Sequence, residues 1–177
     1  IMRYFRFYAR FAKTKIDQDA MIGIISHKSG LSEISVERIW SEFKKILTGP
    51  EAANTISLMR DLGIINQIGI GDIDCVALEQ GISCGITDPS SLLGILCIDV
   101  DFVDNWKMSK EEISRIKFIN EIVSVPVKQL DIMEMLVDGI EYDWVRDVAA
   151  IYNRSIPSEV PTFPVRGSDL LEKGFIQ

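Results

Sequence analysis

Histidine and cysteine are scarce in this chain of 177 residues, and their scarcity excludes several kinds of site. His27 is the only histidine, and the three cysteines, Cys75, Cys84 and Cys97, form no Cys-x-x-Cys pair. A structural zinc site and a Ser/His/Asp or Cys/His catalytic arrangement therefore have no support in the sequence. An odd number of cysteines in apolar surroundings favours a reducing, cytoplasmic location.

Long apolar runs and phosphate-binding glycine loops are also absent. No run of 18 apolar residues occurs, which argues against a membrane span, and no signal peptide is visible. The most apolar stretch, 91–103, is interrupted by Asp99 and Asp101, so we predict a buried helix or strand there. Neither the P-loop pattern nor the Gly-x-Gly-x-x-Gly pattern is present.

Two pairs of aspartates resemble metal clamps on a strand. Asp72 and Asp74 form one pair, and Asp99 and Asp101 form the other. Carboxylates two residues apart point the same way from a strand and can bind Mg²⁺ together. A nucleotidyl-transfer site also needs a Gly-Ser or Gly-Gly turn shortly before the pair, and neither pair has one. We therefore predict that both are solvated acids near helix ends, with no catalytic or metal-binding residue.

The dense basic cluster of this chain lies at its start. Five cations precede the first acid, Asp17, although the whole chain has a net charge of −7: Arg3, Arg6, Arg10, Lys13 and Lys15. The first four share one helical face, since their spacing is three, four and three residues. Another face carries aromatic residues that are expected to anchor the helix: Tyr4, Phe5, Tyr8 and Phe11. The basic face is either an anion-binding surface or a solvated face with surface salt bridges.

Helical periodicity predicts an all-α fold, arranged as a multi-helix array. Apolar positions recur every three or four residues, and few segments alternate as strands do. Proline and glycine punctuate the helices: Pro50 is predicted at the first helical position, and Gly30, Gly63 and Gly139 end helices. The predicted helices cover 1–15, 17–27, 35–47, 51–62, 72–81, 90–100, 110–123, 127–137, 142–153 and 168–173, with connectors at 64–71 and 154–165.

Capping signals support two of these helix starts. Asp88-Pro89 is typical of an N-cap followed by a proline at the first helical position, and Ser109 with Glu112 forms a capping box.

The histidine and the three tryptophans have plain structural interpretations. His27 is expected to be a helix C-terminal cation or a polar surface residue. Trp40, Trp106 and Trp144 lie on apolar-periodic segments and are predicted to be core residues. A stacking platform for RNA bases is the alternative for the tryptophans.

The basic segment resembles a known family. Ile1-Met-Arg-Tyr-Phe-Arg-Phe-Tyr-Ala-Arg resembles the neck helix of class II CCA-adding enzymes and the related bacterial poly(A) polymerases. Three further segments resemble that family in the same order: Ser-Val-Glu-Arg-Ile-Trp-Ser-Glu at 35–42, the helix from Leu-Thr-Gly-Pro to Leu-Gly-Ile-Ile at 47–65, and Pro-Thr-Phe-Pro-Val-Arg-Gly-Ser-Asp-Leu-Leu-Glu-Lys-Gly at 161–174. The resemblance implies an all-α array with a neck at 1–68, a body at 69–154 and the start of a tail at 155–177.

The resemblance also implies roles for particular residues. Arg3 and Arg6 match the arginines that bind the incoming CTP or ATP, and Glu37 and Arg38 match a motif that supports the nucleotide pocket. RNA contacts are implied for four residues: Arg10, Lys13, Gly167 and Asp169. The family reads tRNA through its acceptor arm and elbow, by shape and phosphate contacts. DNA and membranes are not expected as partners.

In this family the catalytic chemistry belongs to a head domain, which the resemblance places upstream of Ile1. The head holds Mg²⁺ and transfers a nucleotide to an RNA 3′ hydroxyl. This chain alone is therefore expected to be inactive and to need the head in cis or in trans. Two alternatives remain open. One is the same region of a poly(A) polymerase, and the other is a headless, non-catalytic helical module that binds RNA or protein.

Overall fold

The computed structural model describes residues 1–11, 17–126 and 130–158. In these ranges the backbone is helical apart from turns and one isolated bridge between Ile73 and Cys97, which confirms the all-α class. The α-helices are α1 (Met2–Phe11), α2 (Gln18–His27), α3 (Val36–Leu47), α4 (Ala52–Asp61), α5 (Ile64–Gln67), α6 (Cys75–Ser83), α7 (Pro89–Leu96), α8 (Lys110–Val123), α9 (Ile132–Val137) and α10 (Tyr142–Ile151).

The chain divides into two compact units, 1–125 and 126–177. In the first unit α1 packs on α3 and α4, while α7 packs on α8, α6 and α3. In the second unit α9 packs on α10. In the described ranges no helix has the length and apolar character needed to cross a membrane.

Side-chain caps fix several helix starts where the sequence predicts them. Asp88 accepts hydrogen bonds from the backbone N–H groups of Ser90 and Ser91, with Pro89 in the first turn of α7. Ser109 and Glu112 form the predicted capping box at the start of α8. Each cap satisfies backbone donors that the first helical turn leaves without a partner.

Two of the three glycines that were predicted to end helices do so. Gly63 and Gly139 adopt positive φ angles of 71° and 83°, which only glycine adopts without strain. They follow α4 and α9, as predicted. Gly30 instead lies inside a 3₁₀ helix, Lys28–Glu33, so the chain continues turning where a stop was predicted.

Some helix boundaries differ from the prediction. Pro50 precedes Glu51, the N-cap of α4, so the proline lies outside the helix. α9 begins at Ile132, where the Asp131 carboxylate caps its first backbone N–H groups, whereas the start predicted at residue 127 lies outside the described residues. α7 ends at Leu96 rather than at residue 100, because the chain turns there and the N–H of residue 98 bonds to the carbonyl oxygen of residue 72.

The predicted connector at 64–71 contains a short helix. Ile64 and Ile65 are fully buried, and α5 packs on α4. Burial of these two adjacent isoleucines stabilises the helical turn. The glycines of the segment had predicted a connector without a helix.

Apolar side chains from α1, α3, α4, α5 and α7 fill the core of the first unit. Trp40 and Trp106 are buried there with ring centroids 6.2 Å apart, so the core interpretation holds for both. Trp144 is only half-buried. His27 is exposed at the last position of α2, as predicted.

The crossing of α7 and α8 depends on Gly94. A Cβ atom at this position would lie 2.7 Å from the carbonyl oxygen of Ile116 and 3.0 Å from the Cβ of Ile119. Asn120 donates from Nδ2 to the carbonyl oxygens of Gly94 and Cys97, at 3.0 and 2.6 Å, which holds the two helices at this distance.

We expect Gly94→Ala to lower the free energy of unfolding by about 2 kcal/mol, because the helices must separate to admit the methyl group. Urea denaturation measures the change. Gly23→Ala is the matched control, since Gly23 lies within α2 with no atom within 4 Å of the added methyl. The control should stabilise the protein by about 0.5–1 kcal/mol. Equal effects of the two substitutions would contradict the close-approach argument.

Candidate nucleotide and RNA site

Helix α1 is held against α3 and α4 by one buried edge. Phe5 and Ala9 are fully buried, while Met2 is 6% exposed. At the far end of this edge the backbone N–H of Glu51 donates to the carbonyl oxygen of Ala9 at 2.9 Å. Gly49 lies so close that a Cβ atom there would be 2.8 Å from the same oxygen. The position of α1 is therefore fixed at both ends.

The aromatic residues that anchor α1 differ from the prediction. Phe11 was expected to anchor the helix, but its side chain is 61% exposed. Phe5 provides the anchor, with Tyr4 and Tyr8 half-buried beside it.

A cleft of about 370 Å³ lies between the start of α1 and the first half of α3. We call it the Arg3 cleft. Three residues that the sequence assigns to the nucleotide pocket line it together, namely Arg3, Glu37 and Arg38. The remaining lining residues are Ile1, Met2, Ile34, Ile39, Ser41 and Glu42.

The acids of the Arg3 cleft have cationic partners, whereas its arginines do not. Glu37 pairs with Lys107 at 3.1 Å, and Glu42 pairs with Arg6 at 3.0 Å. Among the described residues, no carboxylate lies within 4 Å of the guanidinium of Arg3 or of Arg38. Both arginines are exposed. The cleft therefore presents two guanidinium groups that are available to an anion.

The pKa of Glu37 lies below its usual value. Its own backbone N–H, in the first turn of α3, contributes most to this shift, followed by the Lys107 ammonium. Glu37 therefore remains ionised at neutral pH and keeps its bond to Lys107. Arg38 is left without that carboxylate as a partner.

Arg6 does not line the Arg3 cleft, but it is held by Glu42, which does. Its Nη1 donates to Oε1 at 3.0 Å and lies 3.0 Å from Oε2, which is buried and accepts no hydrogen bond from the described residues. Lys45 also donates to Oε1 of Glu42, at 3.2 Å. Glu42 thus sets the direction of the Arg6 guanidinium.

Sequence reasoning assigned no role to Glu42. The signal was its position in α3, three residues after Ile39 and four before Ile46, both of which are buried. A carboxylate on the core-facing stripe of an amphipathic helix requires a cationic partner. That pattern predicts a partner but not which cation provides it.

A second cleft, of about 720 Å³, lies where the end of α1 meets the turn between α3 and α4. We call it the Phe7 cleft. It is lined by Arg6, Phe7, Arg10, Phe11, Lys45, Thr48, Gly49 and Pro50. The structure therefore places both Arg6 and Arg10 in this cleft, apart from Arg3 in the other. Lys13, Gly167 and Asp169, together with the predicted helix at 168–173, lie outside the described residues.

The two aspartate pairs have local structural roles. Asp74 caps α6 by accepting from the N–H groups of Val76 and Ala77, and Asp99 accepts from the N–H of Asp101 at 2.8 Å. In the described part of the chain, no three histidine, cysteine or acidic side chains gather as metal ligands.

The three cysteines differ in burial, and Cys97 is the buried one. All three cysteines are free. Burial, with a smaller contribution from Asp99, raises the pKa of Cys97 to about 12, so its thiol stays protonated and unreactive at neutral pH.

Comparisons with known proteins show what this chain is similar to. Residues 14–69 match the family model described as "Probable RNA and SrmB- binding site of polymerase A". The mouse mitochondrial CCA tRNA nucleotidyltransferase 1 is 32% identical over 98% of this chain and 46% of its own length. The zebrafish protein of the same name is 29% identical over 99% of this chain and 47% of its own length.

A bacterial relative extends the comparison. A CCA-adding enzyme of Geobacillus is 27% identical over 85% of this chain and 41% of its own length. The chain thus spans about half the length of the curated relatives it matches. Together, the family model and these relatives confirm the resemblance noted in the sequence: the chain belongs to the family of CCA-adding enzymes and poly(A) polymerases.

Proposed function

We propose that this chain is the RNA-binding, nucleotide-pocket portion of a tRNA nucleotidyltransferase that adds CCA to tRNA 3′ ends. The curated relatives are named for that activity, and the matching family model describes an RNA-binding site. The observation that carries the proposal is the Arg3 cleft. Its two acids are paired with Lys107 and Arg6, whereas Arg3 and Arg38 have no acidic partner among the described residues.

This pattern of charges suits a nucleoside triphosphate. Guanidinium groups bind phosphate oxygens through two parallel, charge-assisted hydrogen bonds. Arg3 would hold the incoming CTP or ATP from within the Arg3 cleft. Arg6, which lines the neighbouring Phe7 cleft and is directed by Glu42, is the second proposed contact of the nucleotide. Glu37 and Arg38 would support the pocket from α3. The exposed guanidinium of Arg3 can reorient towards a phosphate without breaking an ion pair of the described structure.

The transfer chemistry itself would come from a catalytic region supplied in cis or in trans. There, Mg²⁺ would neutralise developing phosphate charge during in-line transfer to the RNA 3′ hydroxyl. We propose that the metal ligands belong to that region rather than to this chain. Its part is to bind and orient the nucleotide and the tRNA.

The tRNA would contact this chain along its acceptor arm and elbow. Arg10 and Lys13 are proposed phosphate contacts, and Gly167 and Asp169 are proposed contacts of the tail. Such contacts position an RNA by its shape and backbone rather than by its sequence.

We expect Arg3→Ala combined with Arg6→Ala to weaken CTP and ATP binding about 10- to 100-fold, because charge-assisted hydrogen bonds to phosphate are lost. The measurement is equilibrium binding of labelled CTP to the chain together with the catalytic region. Arg60→Ala is the control, since Arg60 is an exposed arginine of α4 that pairs with Asp61 outside both clefts. Unchanged CTP affinity in the double variant would mean that the basic face of α1 contacts tRNA phosphates or serves only solubility.

The same assembled protein separates CCA addition from poly(A) synthesis. On a tRNA that lacks its 3′ CCA, incorporation of CTP followed by a single ATP supports the proposal. Incorporation of ATP alone into a long tail supports the poly(A) polymerase alternative. RNA binding without incorporation of either nucleotide supports a non-catalytic module.

We further propose a reducing compartment, the cytoplasm, since all three cysteines are free thiols. Two relatives are named mitochondrial. Imaging of a tagged full-length protein distinguishes the two compartments, and mitochondrial fluorescence would overturn the cytoplasmic assignment.

A further inference from the structure

We propose that the Phe7 cleft binds an unpaired nucleotide of a single-stranded RNA, whose base stacks on Phe7 and Phe11 while its phosphates contact Arg10 and Lys45. This inference rests on the proposed function and deepens it, because it defines a site for single-stranded RNA apart from the Arg3 cleft.

The first observation is the exposure of two aromatic rings on one helix edge. The side chains of Phe7 and Phe11 are 54% and 61% exposed, although they lie on the helix that Phe5 anchors in the core. Their ring centroids are 6.2 Å apart with an interplanar angle of 21°, so the rings form a nearly parallel pair. Neither ring contributes to the buried core, and each presents a face on which a planar base can stack.

The second observation is the positive charge around these rings. The guanidinium of Arg6 lies 4.9 Å from the Phe7 ring centroid, and that of Arg10 lies 6.0 Å from the Phe11 ring centroid. Lys45 lines the same cleft from α3. Among its lining residues there is no acid, and Glu42, which binds Arg6 and Lys45, offsets only one of the three positive charges. Arg10 has no carboxylate within 4 Å in the described ranges.

Cations beside exposed rings favour single-stranded nucleic acid over other ligands. Bases of a single strand stack on aromatic side chains while basic residues contact the phosphates, and this mode tolerates any base sequence. In a duplex the base faces are already stacked on each other, so the rings could not be used. A protein partner would need acidic residues to neutralise Arg10 and the other cations, whereas RNA brings its own negative charge.

The turn at Thr48, Gly49 and Pro50 also lines the cleft, and the backbone N–H of Glu51, which follows it, donates to the carbonyl oxygen of Ala9 in α1. α1 and this turn are therefore fixed relative to each other, and the cleft exists before a ligand arrives. A preformed site reduces the entropy lost on binding.

The test compares two RNA probes by fluorescence anisotropy with the full chain. One probe is an eight-nucleotide single strand, and the other is a blunt-ended RNA duplex of the same charge. We expect Phe7→Leu combined with Phe11→Leu to weaken single-strand binding about 10-fold, because leucine keeps the apolar surface but removes the stacking faces. Duplex binding should change less than twofold. The melting temperature of the variant should match that of the parent, since both side chains are exposed.

Matched variants complete the experiment. Ile22→Ala combined with Ile25→Ala removes two exposed apolar side chains of α2 and should leave both affinities unchanged. Arg10→Ala should weaken binding of both probes and reduce the dependence of affinity on salt. Equal losses for single strand and duplex in the leucine variant, or no loss at all, would overturn the stacking site.

Three further outcomes decide between this inference and others. If the parent chain binds tRNA but the leucine variant behaves as the parent, only the stacking site fails and the proposed function stands. If the parent chain binds neither tRNA nor the single strand, the proposed function fails as well. A concentration-dependent dimer that the leucine variant abolishes would instead assign the rings to contact between two copies.

Discussion

Replacing Phe5 with alanine is expected to lower the free energy of unfolding by about 3–5 kcal/mol, the range for removing a fully buried aromatic side chain. Phe5 has no exposed surface and is the largest buried side chain of α1, which packs on α3 and α4. Its loss leaves a cavity at the contact that positions the basic side chains. We therefore expect weaker binding of both nucleotide and RNA together with the loss of stability, measured by urea denaturation and by anisotropy.

Phe7→Ala is the matched control for the loss of stability, since it makes the same substitution two residues away on the same helix. Phe7 is 54% exposed, so its replacement should change the free energy of unfolding by no more than about 0.5 kcal/mol. Similar losses of stability for Phe5→Ala and Phe7→Ala would show that Phe5 does not anchor α1.

The second large effect concerns acid stability and centres on Glu112. Partial burial opposes ionisation of this carboxylate, but hydrogen bonds outweigh it, from the backbone N–H of Ser109, the Lys44 ammonium and the Trp40 indole. Together they lower the pKa of Glu112 from 4.5 to about 2. Because the folded-state pKa lies below the unfolded value, the stabilisation is complete above about pH 4.5 and is lost as the pH falls towards 2.

Because this carboxylate is only partly buried, solvent screening reduces the stabilisation at neutral pH to about 1–2 kcal/mol. Glu112→Gln should therefore destabilise the protein at pH 7 by about 1–2 kcal/mol. It should also flatten the decline in stability between pH 4.5 and pH 2. Urea denaturation at a series of pH values measures both effects.

Glu111→Gln is the control, because Glu111 lies in the same first turn of α8 but is exposed. It removes the same charge near the same helix N-terminus, so only the small helix-dipole contribution is lost, about 0.5 kcal/mol. If the two variants show the same pH dependence, the contacts of Glu112 with Trp40 and Lys44 do not carry the stabilisation.

The contacts of Glu112 include one that the sequence predicts and two that it does not. The capping box of Ser109 and Glu112 is a local pattern, so the sequence predicted it correctly. The indole of Trp40 and the ammonium of Lys44 reach the same carboxylate from α3. Only folding brings these groups together, because they lie about seventy positions apart in the chain.

The basic face of α1 likewise has features that the sequence predicted and features that it did not. Arg3, Arg6 and Arg10 do lie on one helix, and Arg3 lines a cleft together with Glu37 and Arg38, whose nucleotide role stays a prediction. The spacing did not show that Glu42 holds Arg6 or that Arg10 lies in a separate cleft. The exposure of Phe11 was also missed. A repeated Arg-Phe pair, at 6–7 and again at 10–11, was the available signal, since cations beside aromatic residues are typical of nucleic-acid contacts.

The sequence by itself determined the all-α class, several helix starts and ends, and the family. Helical periodicity, caps and glycine stops depend on neighbours within about four residues, so the amino-acid sequence alone is enough to predict them. Only the tertiary structure decided which charges are paired and which remain available. Ion pairs such as that between Arg6 and Glu42 join separate helices, and whether a side chain is buried depends on all the elements around it.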